Sequence, residues 1–314
     1  PGEIVPRAFP QAIELPEIFS VSDRASGRLE LAQWITHPEH PLTSRVFVNR
    51  VWQKLFGAGL VRSVDNFGTT GDLPTHPQLL DTLAVEFVAE GWSLKQLVRK
   101  LVLSRTYRQA STYDRDSFLR DPDNRFLWRM PKRRLEAEAI RDAMLAVSGE
   151  LDTSRPQGSL VGRVIGDQPI SLIGLNKKLP TDLDGSLHRS VYLPVIRERL
   201  PDVLDLFDFA EPSLVTGVRE QTNVPVQALY LMNGPFVQER AHALASRLLK
   251  TSDADSERVR NTFRLCFGRD PDETELQRSL EFLVEMTEAG DNAQLAWTSF
   301  CQSLLSTAEF RNID

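Results

Sequence analysis

The chain has 314 residues, 41% of them hydrophobic, and its 43 acidic and 37 basic side chains give a formal net charge of −6 at pH 7. That length and composition suit a chain with a substantial core and no need of disulfide staples. The acidic balance argues against a nucleic-acid partner, which gains affinity from a basic stripe that releases counterions, and no apolar run approaches the ~20 residues that cross a bilayer.

Residues 1–26 carry little periodicity and frequent proline, so they are expected to form an extended arm or linker from an upstream domain. The start at Pro1-Gly2-Glu3 has no secretion-signal pattern and reads as a piece of a longer protein. From Arg28 to Thr36, Leu29, Leu31, Ala32 and Ile35 fall at helical spacing, and His37-Pro38-Glu39-His40-Pro41 then forms a rigid turn. Thr43 or Ser44 is expected to cap the next helix, whose stripe of Val46, Val48, Val51, Trp52 and Leu55 ends at Gly57. Thr75-His76-Pro77-Gln78 predicts a capped start with proline in the first turn, and Ser93-Leu94-Lys95-Gln96 predicts another, leading to a helix that reaches Tyr107. Arg134 to Val147 is strongly amphipathic and stops at Gly149.

Between Leu151 and Pro201 glycine and proline are frequent, and β-branched runs occur at Ser159–Ile165 and Ser190–Ile196. Helical spacing returns at Pro201–Phe207, Val224–Leu249, the segment capped by Asp270-Pro271-Asp272-Glu273, and Ala293–Leu305. The expected fold is therefore mainly α, a multi-helix globular domain with a small β element near residues 159–196. It spans residues 27–314, with a subdivision into 27–150 and 151–314. Cys266 and Cys301, the two cysteines, fall in C-terminal helices and read either as buried thiols or as one bridge between them.

Three groups of residues merit a chemical reading. His37 and His40, with Glu39 between them, offer two imidazoles and a carboxylate to a divalent metal, against the plainer role of solvated turn residues. His76, at a helix N-terminus, is suited to remain a neutral acceptor or simply to pack within the cap. Arg134, Glu138 and Asp142 follow one another at i,i+4 on a single helix face, either as a carboxylate acid with an anion-holding arginine or as a ladder of ion pairs. Gly-x-Ser-x-Gly, Gly-x-Gly-x-x-Gly and Cys-x-x-Cys-His strings do not occur, so a serine elbow, a dinucleotide loop and a haem attachment site have no support in this chain.

The stretches Arg28-Leu29-Glu30-Leu31-Ala32-Gln33-Trp34, Val46-Phe47-Val48-Asn49-Arg50-Val51-Trp52-Gln53, Phe56-Gly57-Ala58-Gly59-Leu60-Val61, Asp65-Asn66-Phe67-Gly68, His76-Pro77-Gln78-Leu79-Leu80-Asp81, Arg134 to Asp142 and Val224-Pro225-Val226-Gln227-Ala228-Leu229 together resemble the planctomycete PSD domain, a domain of unknown function. The resemblance runs from Arg28 to the end. It implies the C-terminal part of a large exported protein, periplasmic or extracellular, with haem c in an upstream cytochrome-like module and no cofactor in this chain. It supplies no established catalytic residues.

Two functions stand open on this reading. One is a helical accessory or interaction domain that packs against upstream modules, in a protein serving redox or polysaccharide metabolism. The other is a carbohydrate-active enzyme domain using carboxylate and histidine acid–base chemistry around His76, Glu138, Asp142 and Arg134. The polar motif residues Asn49, Arg50, Gln53, Asn66, Asp81, Arg189, Gln227 and Asn233 need partners if the helices bury them, and are expected to join these four in one network.

Overall fold

The structure, a computed structural model, describes residues 7–16, 20–21, 24–158, 185–195, 200–252 and 254–313. The fold is mainly α, with a two-stranded antiparallel pairing as its small sheet. Most of the β element expected near 159–196 falls on residues outside the described ones. Within them, the run from Ser190 opens as a 3-10 turn over Ser190–Tyr192, and one bridge joins Asp152 to His188. The chain divides into two compact units between Lys132 and Arg133, not after residue 150, because the helix beginning at Ala137 packs with the C-terminal helices.

The first unit holds α1 (Arg28–Ile35), α2 (Thr43–Phe56), α3 (Pro77–Ala89), α4 (Leu94–Val102) and α5 (Arg115–Arg120). α2 packs on α3 and α4. Their shared core contains Val48, Trp52, Phe56, Leu80, Leu83, Phe87, Leu97 and Leu101, and each large apolar side chain so buried contributes about 1.5–3 kcal/mol. Trp52 and Phe56, one helical turn apart, stack at 4.0 Å.

Several local expectations are corrected in this unit. In α1 only Trp34 is buried, while Leu29, Leu31 and Ile35 are exposed. Trp34 instead stacks on Phe9 at 5.2 Å and meets His40 edge-on at 4.6 Å. α2 begins without a Thr43 or Ser44 cap: the Nδ1 of His40 accepts from the Leu42 and Thr43 amides at 3.3 and 3.2 Å and from the Thr43 hydroxyl at 2.9 Å. The cap residue of α3 is His76, not Thr75, and no side chain bonds into that first turn. Ser93 does cap α4 through the Gln96 amide, but the helix ends at Val102, well short of Tyr107.

The second unit holds the strand β1 (Arg133–Arg134), then α6 (Ala137–Ser148), α7 (Asp202–Leu206), α8 (Pro225–Asn233), α9 (Pro235–Leu249), α10 (Asp255–Phe267), α11 (Glu273–Glu288), α12 (Ala293–Leu305), α13 (Ala308–Arg311) and β2 (Asn312–Ile313). β1 and β2 pair antiparallel, with Arg133 opposite Ile313, so Arg134 precedes α6 instead of opening it. The expected Val224–Leu249 helix is two helices, because Pro235 has no N–H to continue the ladder and the Gly234 amide closes the first helix on the Tyr230 carbonyl at 2.6 Å. α9 lies centrally against α12 and α6. Its Val237, Ala241, Leu244, Ala245 and Leu248 join Ile140, Met144 and Leu145 of α6 and Trp297, Phe300 and Leu304 of α12 in one core. α11 opens with a full capping box, Asp272 with Glu275, as its sequence predicts.

Candidate functional site

α6 fills the core with one side and presents a polar edge with the other. Along that edge Glu138 and Asp142 stand one turn apart, whereas Arg134, expected on the same helix face, sits on β1 ahead of the helix, and each of the three turns to a different partner. Arg134 reaches the Thr222 carbonyl and the Asp208 carboxylate, both at 2.5 Å. Asp208 in turn accepts from the Thr222 amide at 2.9 Å and hydroxyl at 2.8 Å, while the Gln227 side chain donates to the same hydroxyl at 3.1 Å and to the Leu206 carbonyl at 2.9 Å. In the first turn of α6, Glu138 takes a two-pronged hydrogen bond from Arg219 at 2.6 and 2.9 Å, and that guanidinium lies over the Phe209 ring at 4.8 Å. A further turn on, Asp142 accepts from the Ser190 hydroxyl at 2.6 Å and amide at 2.7 Å, with the Arg189 Nε 3.8 Å away.

This arrangement is a latch. Arg134 of β1 and the first two turns of α6, through Glu138 and Asp142, hold the loop around 207–222 and the loop around 186–193, which otherwise carry few regular hydrogen bonds. Bidentate Arg–carboxylate pairs suit the task because the planar fork fixes direction as well as distance. Between the latch positions sits Arg141, fully buried, which donates to the His188 carbonyl at 3.0 Å and the Ser190 hydroxyl at 3.3 Å, and also to the Ser186 carbonyl. Its charge is further accommodated 5.2 Å above the Phe236 ring.

The electrostatics match the geometry. Burial opposes ionisation of Asp208, but the hydrogen bonds from Arg134 and Thr222 outweigh it and hold the carboxyl below the ordinary aspartate value. Arg219 is held more firmly protonated, first by its bond to Glu138. Asp208 is also one of the non-glycine residues with a left-handed backbone, φ 62°, a strain that its three side-chain hydrogen bonds maintain.

The remaining predicted residues do not form one network. His76 belongs to the first unit, where its Nδ1 lies 3.0 Å from the Thr75 hydroxyl and its ring meets Phe126 at 6.0 Å; Arg134, Glu138 and Asp142 belong to the second. Asn49 is wholly buried and pairs with both main-chain groups of Val61 at 2.9 Å. Arg50 and Asp65 form an exposed ion pair at 3.6 Å, Gln53 is buried in α2, and Asp81 pairs with Arg45 at 2.6 Å. Asn66 makes a local turn with Gly68 and Thr70, and Asn233 bonds back to the Leu229 carbonyl within α8.

His37 and His40 both use Nδ1 as an acceptor inside their own turn, and among the described residues no three His, Cys, Asp or Glu side chains converge for a metal. Cys266 and Cys301 are free thiols. Burial pushes Cys266 up to about 12 and Cys301 likewise well above the usual thiol range.

Asp208, Thr222, Arg219 and Ser190 were not among the predicted site residues. They lie in irregular segments far along the chain from α6, where no periodicity announces a partner.

A second feature stands out on α8. This helix buries Gln227 and Leu231 and turns Val226, Leu229 and Met232 outward at 53%, 56% and 62% exposure. The loop leading into it adds Leu214, Val215 and Val218, also exposed. A soluble helix ordinarily does the reverse. No helix among the described residues is long and apolar enough to cross a membrane.

The fold and its latch thus define a two-unit, mainly α chain whose polar edge ties two loops to α6 and whose apolar residues are partly outside. The family model described as PSD1, protein of unknown function (DUF1553), matches residues 27–283, and the chain belongs to that family. The match ends within α11, short of the C-terminus. No curated protein and no solved structure is similar enough to match.

Proposed function

We propose that this chain is a helical accessory domain of a larger exported, cytochrome-linked protein, and that it meets another module of that protein through the outward face of α8 and the loop before it. The observation that carries this reading is the inverted pattern of α8, which buries a glutamine and exposes three large apolar side chains at i, i+3 and i+6. Scattered exposed apolar residues are ordinary, but a stripe of them on one helix face is characteristic of a surface that is covered in the assembled protein. The saturated bonding of Glu138 and Asp142 fits the same reading, since carboxylates clamped by Arg219 and Ser190 act as struts.

The test is association of the domain with the separately produced upstream region of its parent protein, followed by calorimetry. Binding is expected, and the combined Val226→Ser, Leu229→Ser, Met232→Ser variant is expected to weaken it at least about ten-fold while keeping the native helical signal. Absence of binding, or binding indifferent to the triple change, overturns the proposal.

A further inference from the structure

The first unit contains a cation–aromatic cluster that the latch and the α8 face leave unused. Trp128 and Tyr113 meet at 6.4 Å with their planes 70° apart, and the Arg129 guanidinium lies 4.8 Å from the first ring and 5.8 Å from the second. Tyr113 is 55% exposed. Among the described residues Arg129 has no ion-pair or side-chain hydrogen-bond partner, and its Nε is sealed from solvent with none. A guanidinium held against two rings without a carboxylate partner can still take an anion through its terminal N–H groups.

The surroundings hold this cluster rigidly. Asp121, buried, accepts the Arg125 and Phe126 amides at 2.8 Å each, and its carbonyl accepts the Trp128 indole N–H at 2.9 Å. The Asn124 side chain clamps the main chain of Arg129 from both sides, at 2.9 and 3.4 Å. Gln109 holds the Leu127 carbonyl at 2.6 Å. Asn124 and Leu127 both adopt left-handed backbone, φ 52° and 55°, which is costly for leucine and is sustained here by those bonds. Strain kept in a surface loop that presents aromatic rings is characteristic of a binding site. The exposed Arg115, Arg120 and Arg125 add positive charge nearby, against Asp114 and Asp116 in and before α5.

We infer that Tyr113, Trp128 and Arg129 form a binding site for an acidic saccharide, in which a sugar ring lies against the exposed Tyr113 face and its carboxylate or sulfate takes the open N–H groups of Arg129. A neutral sugar would leave the guanidinium unpaired. Consecutive nucleic-acid bases need parallel platforms, which rings at 70° do not provide.

The test is affinity electrophoresis of the whole chain in gels carrying polygalacturonate, dextran sulfate or neutral dextran, with fluorescent oligothymidylate as a separate probe. Retardation is expected in one or both acidic gels and not in dextran, and the stronger of the two identifies the preferred anion. Arg129→Gln and Tyr113→Ala are each expected to weaken binding about ten-fold, and Arg115→Gln by less than about two-fold. Tyr113→Ala alone decides the matter if Arg129→Gln does not fold, because Tyr113 is mostly exposed. Free migration in both acidic gels, equal loss from Arg115→Gln, retention by neutral dextran, or tighter binding of the oligonucleotide overturns the inference. The α8 triple variant is expected to migrate like the parent, which separates this outcome from that of the docking test.

Discussion

Replacing Asn49 by leucine removes a side chain that is fully buried and bonded at 2.9 Å to both the N–H and the C=O of Val61. Leucine fills similar space but leaves both main-chain groups buried without partners, since Val61 itself is 2% exposed. Each lost bond is worth about 1 kcal/mol and each orphaned group costs more by its desolvation, so the substitution is expected to destabilise the first unit by about 2–5 kcal/mol. Urea titration followed by tryptophan fluorescence reports on that unit, because Trp34, Trp52, Trp92 and Trp128 all lie in it and only Trp297 lies in the other. The exposed Arg50→Ala change on the same helix is the control, expected within about 0.5 kcal/mol of the parent. A loss below about 1 kcal/mol for Asn49→Leu, with native helix content and an unchanged urea slope, would refute the claim that this side chain pins the loop after α2.

Asp208 has a folded-state pKa below its unfolded value, so its contribution to stability is present above the unfolded value of about 3.9 and is lost as pH falls through the folded one. Asp208→Asn should flatten the acid limb of a stability–pH profile below about pH 4, and an unchanged limb would remove Asp208 from the latch. Neither thiol should react with a disulfide reagent in the folded protein near neutrality, since burial holds Cys266 at about 12 and Cys301 high as well. Both should react once urea unfolds the chain; rapid labelling of native protein would contradict their burial. Gly234→Ala places a Cβ 2.6 Å from the Tyr230 carbonyl oxygen, and a cost of about 1–3 kcal/mol is expected by thermal melting, with a neutral result indicating that the α8–α9 corner gives way freely.

Much of the helix pattern could be read from the residues, because amphipathic spacing and cap chemistry are local. α2, α3, α9, α11 and α12 carry three or more turns of apolar spacing, and the Asp272–Glu275 capping box needs only four consecutive residues. The bounds of α10 escape that reading, which puts Cys266 in a helix without delimiting it, because the sequence from Asp255 to Phe267 is dense in charge and buries only Val259, Thr262 and Phe263. The α1 stripe misled in the opposite sense: apolar spacing marks a helix, but whether Leu29 and Leu31 have anything to pack against is not a local property.

Spacing along single segments suffices for the helical class, the family, and the one-turn interval between Glu138 and Asp142. Packing between distant segments sets the rest: Arg134, Glu138 and Asp142 grip Asp208, Arg219 and Ser190 separately, Arg134 falls on a strand, His76 lies in the other unit, and α8 turns its apolar side outward. Hydrogen-bond partners and burial are set by segments eighty or more residues apart, as Arg219 is from Glu138 and Thr222 from Arg134, and no periodicity encodes which distant loop a charged side chain will meet.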